Sequence, residues 1–142
     1  MSVDVKYWTS ATATGGRDGH SKTHDGSIEV KMATPKELGG DGDGNNPEQL
    51  FATGYAACYL GAMRIAATPD QSLAKVPNDA TVTAKVGIGP RSDMGFGLAV
   101  ELTVSLPGLS EAEAQKVADA GHKICPYSHA TRNNISVTTR IA

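Results

Sequence analysis

The chain switches repeatedly between two hydrophobic periods, and this alternation constrains its fold more than any other feature. Five segments alternate apolar and polar residues as strands do, and two segments repeat their apolar residues with helical spacing. The strands are predicted around residues 3–13, 27–32, 81–88, 98–106 and 135–141, and the helices around 47–67 and 111–124. The order β-β-α-β-β-α-β contains no longer repeat and predicts an α+β fold with antiparallel strands packed around helices. At 142 residues, the chain is expected to form a single domain over residues 1–142.

Charge and composition exclude several classes of partner. The net charge is −2 with scattered basic residues, so nucleic acid is not an expected partner.

The N-terminus, MSVDVKYW, has an early acid and no apolar core of a signal peptide, which predicts a cytoplasmic protein. The stretch 47–67 carries Glu48 and Arg64 and is rich in small residues, so we interpret it as a buried helix and expect no membrane association. A core of small aliphatic side chains is often completed by a second subunit, which predicts an oligomer.

The first predicted helix has a well-marked beginning and carries a cysteine. Asn46 is a suitable N-cap, Pro47 fits the first helical position, and Glu48 lies where the helix dipole favours an anion. One predicted face contains Leu50, Gly54, Ala57, Cys58, Gly61 and Ile65. Because glycine destabilises a helix interior, Gly54 and Gly61 suggest that another backbone approaches this face closely.

The second predicted helix ends at the other cysteine. Ser110 and Glu113 have the spacing of a capping box at its beginning. Proline disfavours helical geometry in the preceding residue, so Pro126 places Cys125 at or just past the helix end.

The glycine-rich segment 39–44 does not have the features of a phosphate or calcium loop. It lacks the spacing of a dinucleotide or Walker motif, and Asp41 and Asp43 would repel phosphate. As a calcium loop it would have Asn46 at the position of the invariant glycine and Ala52 at that of the bidentate glutamate. No cofactor is therefore expected at this segment.

The histidines and the cysteine spacing give no support to a metal site. His20 and His24 are four residues apart, but they lie in or beside a predicted strand, where such positions are far apart. No Cys-x-x-Cys pair occurs. Solvated histidines are the better interpretation, and no metal is expected.

The two cysteines are the remaining candidates for chemistry. Each alone is compatible with a small buried apolar residue. In a reducing compartment, however, a cysteine pair is usually catalytic or redox-sensing. Arg17 on a glycine-framed loop and Glu48 at the start of the Cys58 helix add the charged groups that a reactive thiolate needs.

Long segments of the chain match one known family in the same order. These are ATATGGRDG (11–19), ELGGDGDGNNPEQLFATGYAACYLGA (37–62), KVGIGP (85–90), GFGLAVELTVSLPGL (95–109) and CPYSHATRNN (125–134). Together they resemble the organic hydroperoxide resistance (Ohr) branch of the OsmC-like family over nearly the whole chain. The resemblance implies an OsmC-like α+β fold in an intertwined homodimer, with no metal or flavin.

The resemblance also implies a function and a set of site residues. It implies a bacterial thiol-dependent peroxidase, active in the response to oxidative stress, that reduces alkyl and fatty-acid hydroperoxides and is re-reduced by dihydrolipoyl groups. Cys58 matches the peroxidatic cysteine and Cys125 the resolving cysteine, with which it forms a redox-active disulfide. Arg17 and Glu48 match the activating pair.

The spacing of Glu48 and Cys58 leads to a further expectation about the dimer. The two residues are ten positions apart, which on one straight helix separates their backbones by about 15 Å along the axis. Direct contact within one helix is excluded by that distance. We therefore predict that Arg17 and Glu48 of one chain serve Cys58 of the other.

Two other functions remain open from the residues. One is a non-catalytic dimer that binds apolar small molecules and merely buries Cys58. The other is a secreted domain stabilised by a disulfide, which the sequon at Asn134-Ile135-Ser136 would suit.

Overall fold

The computed structural model describes residues 2–142 and has the predicted α+β class. Its contacts divide into two compact units, one up to Leu50 and the other from Phe51 onward. The strands are β1 (Ala11–Thr14), β2 (His20–Thr23), β3 (Glu29–Lys31), β4 (Thr81–Pro90), β5 (Phe96–Ser105) and β6 (Ser136–Ile141). The helices are α1 (Pro47–Ala67), α2 (Glu111–Ile124) and α3 (Pro126–Thr131), and short 3₁₀ turns occur at Gly16–Asp18 and Lys36–Leu38.

The first unit contains a small antiparallel sheet in the order β1-β2-β3. Thr14 pairs with His20, so the connection between β1 and β2 is the short segment that holds Arg17. Gly15 and Gly16 take positive φ values of 70° and 60° there, a conformation that other residues adopt only with strain. The sequence therefore makes this tight connection possible through its two glycines.

Two details of this sheet differ from the sequence prediction. The predicted strand at 3–13 is regular only from Ala11, because residues 2–10 have no regular structure and are exposed. Period-two alternation alone does not form a strand without a neighbour to bond. The segment 20–23, which was not predicted as a strand, is β2, and it pairs with both β1 and β3. A hairpin formed directly by the predicted strands 3–13 and 27–32 is therefore excluded, because β3 pairs with β2 and not with β1.

The second unit has a sheet in the order β4-β5-β6 packed against helices. β4 and β5 are antiparallel over ten residue pairs, whereas β6 runs parallel to β5. The prediction of antiparallel strands thus fails for β6, because α2 and α3 form the crossover that parallel neighbours require. Alternate residues of β5, Val100, Leu102 and Val104, are buried on the side that packs into the core.

Both helix beginnings follow the predicted capping. Gln49 donates its backbone N–H to the Asn46 side chain at 2.9 Å, and Asn46 donates its own N–H to the Gln49 side chain at 3.0 Å. Ser110 and Glu113 form the predicted capping box of α2. Each pair satisfies backbone donors that the first turn of a helix otherwise leaves unbonded.

The buried face of α1 is not the predicted one. Leu50 and Ile65 of the predicted stripe are exposed, and the helix instead buries Tyr55, Tyr59, Ala62, Met63 and Ala67. The two tyrosines find internal partners for their hydroxyl groups, which allows large rings to replace the smaller side chains that we expected in the core. No helix within residues 2–142 is both long enough and apolar enough to cross a membrane.

Candidate active site

The second unit brings the two cysteines into contact. The Cys125 thiol donates to the Cys58 sulfur with the two Sγ atoms 3.9 Å apart, and both residues are reduced. Cys125 is fully buried, while Cys58 is only partly buried. Cys58 is therefore the member of the pair with some exposure to solvent, and Cys125 has none.

The junction between α2 and α3 holds Cys125. Its backbone N–H donates to Gly121 at 2.9 Å, which closes α2, and its Sγ accepts from the N–H of Ser128 at 3.5 Å, which caps α3. Pro126 occupies the first turn of α3, where its missing N–H removes no helical bond. The predicted end of α2 at Cys125 is confirmed, whereas α3 was not predicted.

The electrostatics of Cys58 do not favour its thiolate by themselves. Burial raises the pKa of the Cys58 thiol, a hydrogen bond from the Tyr127 backbone opposes this rise, and the neighbouring Cys125 raises the pKa further. A buried sulfur loses the hydration that stabilises its charged form. Activation of this thiol consequently requires an added source of positive potential.

The first unit holds the predicted charged pair. Arg17 donates from Nη2 to Glu48 Oε1 at 2.6 Å and from Nη1 to Glu48 Oε2 at 3.0 Å. This bidentate bond raises the pKa of Arg17 and lowers the pKa of Glu48, against the opposing effect of burial on each. The carboxylate is the better shielded partner, since the Glu48 side chain is 11% exposed and that of Arg17 38%. The pair stays charged and its guanidinium plane is fixed.

Asp18 anchors the turn that carries Arg17. Its carboxylate accepts from the backbone N–H of Thr34 at 2.9 Å and from the Thr34 hydroxyl at 3.1 Å. The Cβ of any larger residue at position 19 would overlap the carbonyl of Thr14, so Gly19 permits the close return of the chain. Arg17 is thus held at its backbone and at its guanidinium group.

A partly buried hydrogen-bond network, which the sequence did not reveal, surrounds Ser128. Ser128 Oγ lies 3.0 Å from the Tyr55 hydroxyl and 2.8 Å from His122 Nδ1. The other ring nitrogen of His122 lies 2.8 Å from Thr139 Oγ1, and Tyr59 stacks on the imidazole at 4.3 Å. The network fixes Ser128, whose backbone N–H donates to the Cys125 sulfur.

The signal in the sequence that could have indicated α3 was Pro126. Proline is suited to the first turn of a helix as well as to the position after a helix end.

No group of three or more histidine, cysteine or acidic side chains within residues 2–142 has the arrangement of a metal site. The residues brought together are Cys58 with Cys125, and Arg17 with Glu48. These are a thiol pair suited to disulfide chemistry and a fixed cation.

Comparison with known proteins identifies the family of this chain. The OsmC-like protein family model matches residues 40–140. An organic hydroperoxide resistance protein of Xanthomonas axonopodis pv. citri is 50% identical over 139 residues, which cover 97% of this chain and 96% of that protein. The chain belongs to the OsmC/Ohr family. The family resemblance predicted from the sequence is therefore confirmed.

Other OsmC/Ohr proteins match over similar lengths. The organic hydroperoxide resistance protein OhrB of Bacillus subtilis is 38% identical over 135 residues, covering 92% of this chain and 94% of that protein. A crystal structure of an organic hydroperoxide resistance protein from Elizabethkingia anophelis, with crystallant-derived thiocyanate bound, is 44% identical. The match covers 99% of each chain with a TM-score of 0.90, and the OsmC/Ohr fold predicted from the sequence is confirmed.

Proposed function

We propose that this OsmC/Ohr protein is a thiol peroxidase that reduces organic hydroperoxides and protects against oxidative stress. The observation that carries the proposal is the pair of sulfurs 3.9 Å apart, one partly exposed and one fully buried. Relatives named organic hydroperoxide resistance proteins support the class of substrate. A non-catalytic binding protein does not need two thiols in contact, so this alternative does not account for the cysteine pair.

The reaction follows from the two sulfurs. The Cys58 thiolate attacks one peroxide oxygen, the O–O bond breaks, and the alkoxide leaves and takes a proton to become the alcohol, which leaves Cys58 as a sulfenic acid. Cys125 then attacks the Cys58 sulfur, a disulfide forms, and the hydroxyl group leaves as water with the Cys125 proton. A dithiol reductant, which we propose to be of the dihydrolipoyl type, returns both cysteines to thiols and becomes a disulfide itself.

The role that we propose for Arg17 has two parts. Positive potential from Arg17 would oppose burial, which raises the pKa of the Cys58 thiol, and would increase the thiolate fraction. A thiolate of lower pKa is also a weaker nucleophile, with a Brønsted slope of about 0.4 to 0.5 in disulfide exchange, and this offsets much of the increase. The net gain is small, so Arg17 must also stabilise the charge that develops on the peroxide oxygens. Glu48 would hold the guanidinium in the orientation that this requires.

A cytoplasmic homodimer is the assembly that we propose. Ala57 and Ile65 on α1 are exposed, and Ile65 keeps 68% of its surface accessible. A second copy would shield these apolar side chains from water.

The experiment that tests the function is hydroperoxide consumption with a dithiol reductant. Wild-type protein should reduce cumene hydroperoxide with dihydrolipoamide in many turnovers, and Cys58→Ser should abolish this because a hydroxyl is scarcely ionised near neutral pH. Val82→Ala, a change in β4 away from both cysteines in sequence, serves as a control for general perturbation. Wild-type turnover in Cys58→Ser would overturn the proposal, and so would a wild-type protein that binds the hydroperoxide without consuming it.

A further inference from the structure

The ring of Tyr127 occupies the space that a side chain at Gly54 would need. A Cβ atom built at Gly54 would lie 2.5 Å from the Tyr127 hydroxyl oxygen and 3.1 Å from its Cζ atom. The same ring packs against Phe51 and Tyr55 of α1, with ring centroids 5.6 and 5.5 Å apart. Gly54 thus leaves space on α1 for the ring of Tyr127, a residue of α3. We expected a second backbone to approach α1 closely at Gly54, and the Tyr127 ring does so instead.

Tyr127 also lies close to both cysteines through the backbone of α3. It is the second residue after Cys125, and its backbone hydrogen-bonds Cys58. The next N–H, that of Ser128, donates to Cys125 Sγ at 3.5 Å. Two successive backbone groups of α3 therefore bond the two sulfurs, and their positions depend on where the first turn of α3 rests against α1.

We propose that Tyr127, packed against Gly54, is a positioning residue that holds Cys125 within reach of the oxidised Cys58. The inference rests on the proposed function and deepens it. Disulfide formation requires the sulfurs to close from 3.9 Å to about 2.05 Å. Cys125 is fully buried, so its side chain has little freedom to move toward Cys58. The packing around α3 therefore sets the distance between the two sulfurs before they react. In this role Tyr127 acts through the backbone of α3, which bonds both sulfurs.

The second glycine of α1 provides a matched control. Nothing within residues 2–142 lies within 4 Å of a Cβ atom built at Gly61, beyond the neighbouring backbone of the helix. Alanine is favoured over glycine in a helix interior at both positions. Gly54→Ala and Gly61→Ala therefore make the same chemical change in the same helix, and only the first meets the Tyr127 ring.

A third variant tests whether the hydroxyl is the obstacle. Carbon atoms pack best at roughly 3.5 to 4.0 Å, so Gly54→Ala should displace the tyrosine oxygen by about 1 Å. Tyr127→Phe removes that oxygen and leaves Cζ as the nearest atom, at 3.1 Å, which a small movement of the ring accommodates. The double variant Gly54→Ala/Tyr127→Phe should therefore recover the position of α3.

The measurement separates the two oxidation steps. After one equivalent of cumene hydroperoxide, rapid quenching and mass spectrometry follow the Cys58 sulfenic acid and the disulfide. Gly54→Ala should form the sulfenic acid at nearly the wild-type rate but close the disulfide about 10- to 100-fold more slowly, as expected for a misplacement of about 1 Å. With excess hydroperoxide, more of its Cys58 should reach the sulfinic acid. Gly61→Ala should keep the wild-type ratio of disulfide closure to sulfenic acid formation, and the double variant should recover most of the closure rate.

Three results would overturn the inference. They are wild-type closure in Gly54→Ala, equal slowing of both steps, and failure of Tyr127→Phe to rescue Gly54→Ala. If Gly54→Ala does not give a folded protein by circular dichroism, Tyr127→Ala tests the same idea, because it removes the ring that packs at Gly54 and introduces no clash. Slow closure with normal sulfenic acid formation in that variant supports the inference, and wild-type closure contradicts it.

A hydroperoxide-independent measurement separates this inference from the proposed function. Diamide takes two electrons and two protons from a thiol pair and forms the disulfide and a hydrazine derivative. If wild-type protein fails to consume hydroperoxide but Gly54→Ala closes more slowly than Gly61→Ala with diamide, the proposed function fails and the positioning role stands. Equal closure of both variants with diamide overturns the positioning role.

Discussion

At the scale of single residues, the proposed chemistry depends on a contrast between two sulfurs of one chain. Cys58 is partly exposed and Cys125 is fully buried, so only the first can meet a bulky hydroperoxide. Family resemblance predicted both cysteines as site residues, and Pro126 indicated the helix end at Cys125. Burial and the contact of 3.9 Å depend on tertiary packing, which no local pattern encodes.

The bidentate bond of Arg17 leads to a first prediction. Arg17→Lys keeps the charge but cannot bond both oxygens of Glu48 and also face a peroxide, so most of the activity should be lost. The measurement is kcat/KM for cumene hydroperoxide in both proteins, with Lys22→Arg as a control on a nearby exposed cation. Near-normal turnover in Arg17→Lys would mean that positive potential alone is sufficient.

His122 leads to a prediction about the pH dependence of stability. Burial lowers the pKa of His122 below its ordinary value of 6.5; Asp119 opposes this shift and Arg132 adds to it. The unfolded chain therefore binds a proton more readily than the folded chain between the lowered pKa and 6.5. The stabilising contribution is complete above pH 6.5 and is lost as the pH falls through this window.

Denaturant unfolding between pH 8 and pH 5 measures this contribution. The free energy of unfolding of wild-type protein should decrease on acidification more steeply than that of His122→Gln. Equal slopes in wild-type protein and His122→Gln would contradict the prediction.

At the scale of secondary-structure elements, the features with local signals were predicted well. The capped beginnings of α1 and α2 depend on residues three apart and agree with the structure. β2 was missed because its residues His20–Thr23 carry no apolar alternation, and its strand character comes from pairing on both sides. The prediction of the buried stripe of α1 was wrong, because the core contains tyrosines with hydrogen-bonded hydroxyl groups in place of the small residues that we expected.

The α2 cap gives a prediction at this scale. Ser110→Ala removes the side chain that accepts from the Glu113 N–H and should lower the free energy of unfolding by about 1 kcal/mol. Peroxide reduction should be unchanged at temperatures where the protein is folded, since the cap is at the opposite end of α2 from Cys125. Chemical denaturation and a peroxide assay on the same preparation check both statements. Ser105→Ala is the matched control at a strand end, and equal losses from the two changes would contradict the role of the cap.

At the scale of the whole molecule, the prediction from the sequence of a site shared between two chains remains a prediction. Its basis is the ten-residue separation of Glu48 and Cys58 on α1, about 15 Å along a helix axis. If Glu48 of one chain serves Cys58 of the other, a heterodimer of Cys58→Ser and Glu48→Ala subunits has one site with both native groups. Sequence patterns within one chain cannot determine this arrangement, because it depends on a second copy.

Subunit mixing measures the prediction. Each variant alone should be inactive, and mixed dimers, purified through two different affinity tags, should recover up to about half of the wild-type activity, since one of two sites is intact. Mixing Cys58→Ser with Cys58→Ala subunits is the control, which should remain inactive. Inactive mixed dimers of Cys58→Ser and Glu48→Ala would show that Glu48 acts within its own chain.

The central claim, that Cys58 is oxidised first and Cys125 resolves it, is tested most directly in a Cys125→Ser protein. After one equivalent of cumene hydroperoxide, intact-protein and peptide mass spectrometry should find one added oxygen on Cys58 as sulfenic acid, and further oxygens with excess hydroperoxide. Wild-type protein treated in the same way should instead lose two hydrogens and contain the Cys58–Cys125 disulfide. An unmodified Cys58 in Cys125→Ser, with the hydroperoxide still present, would contradict the account.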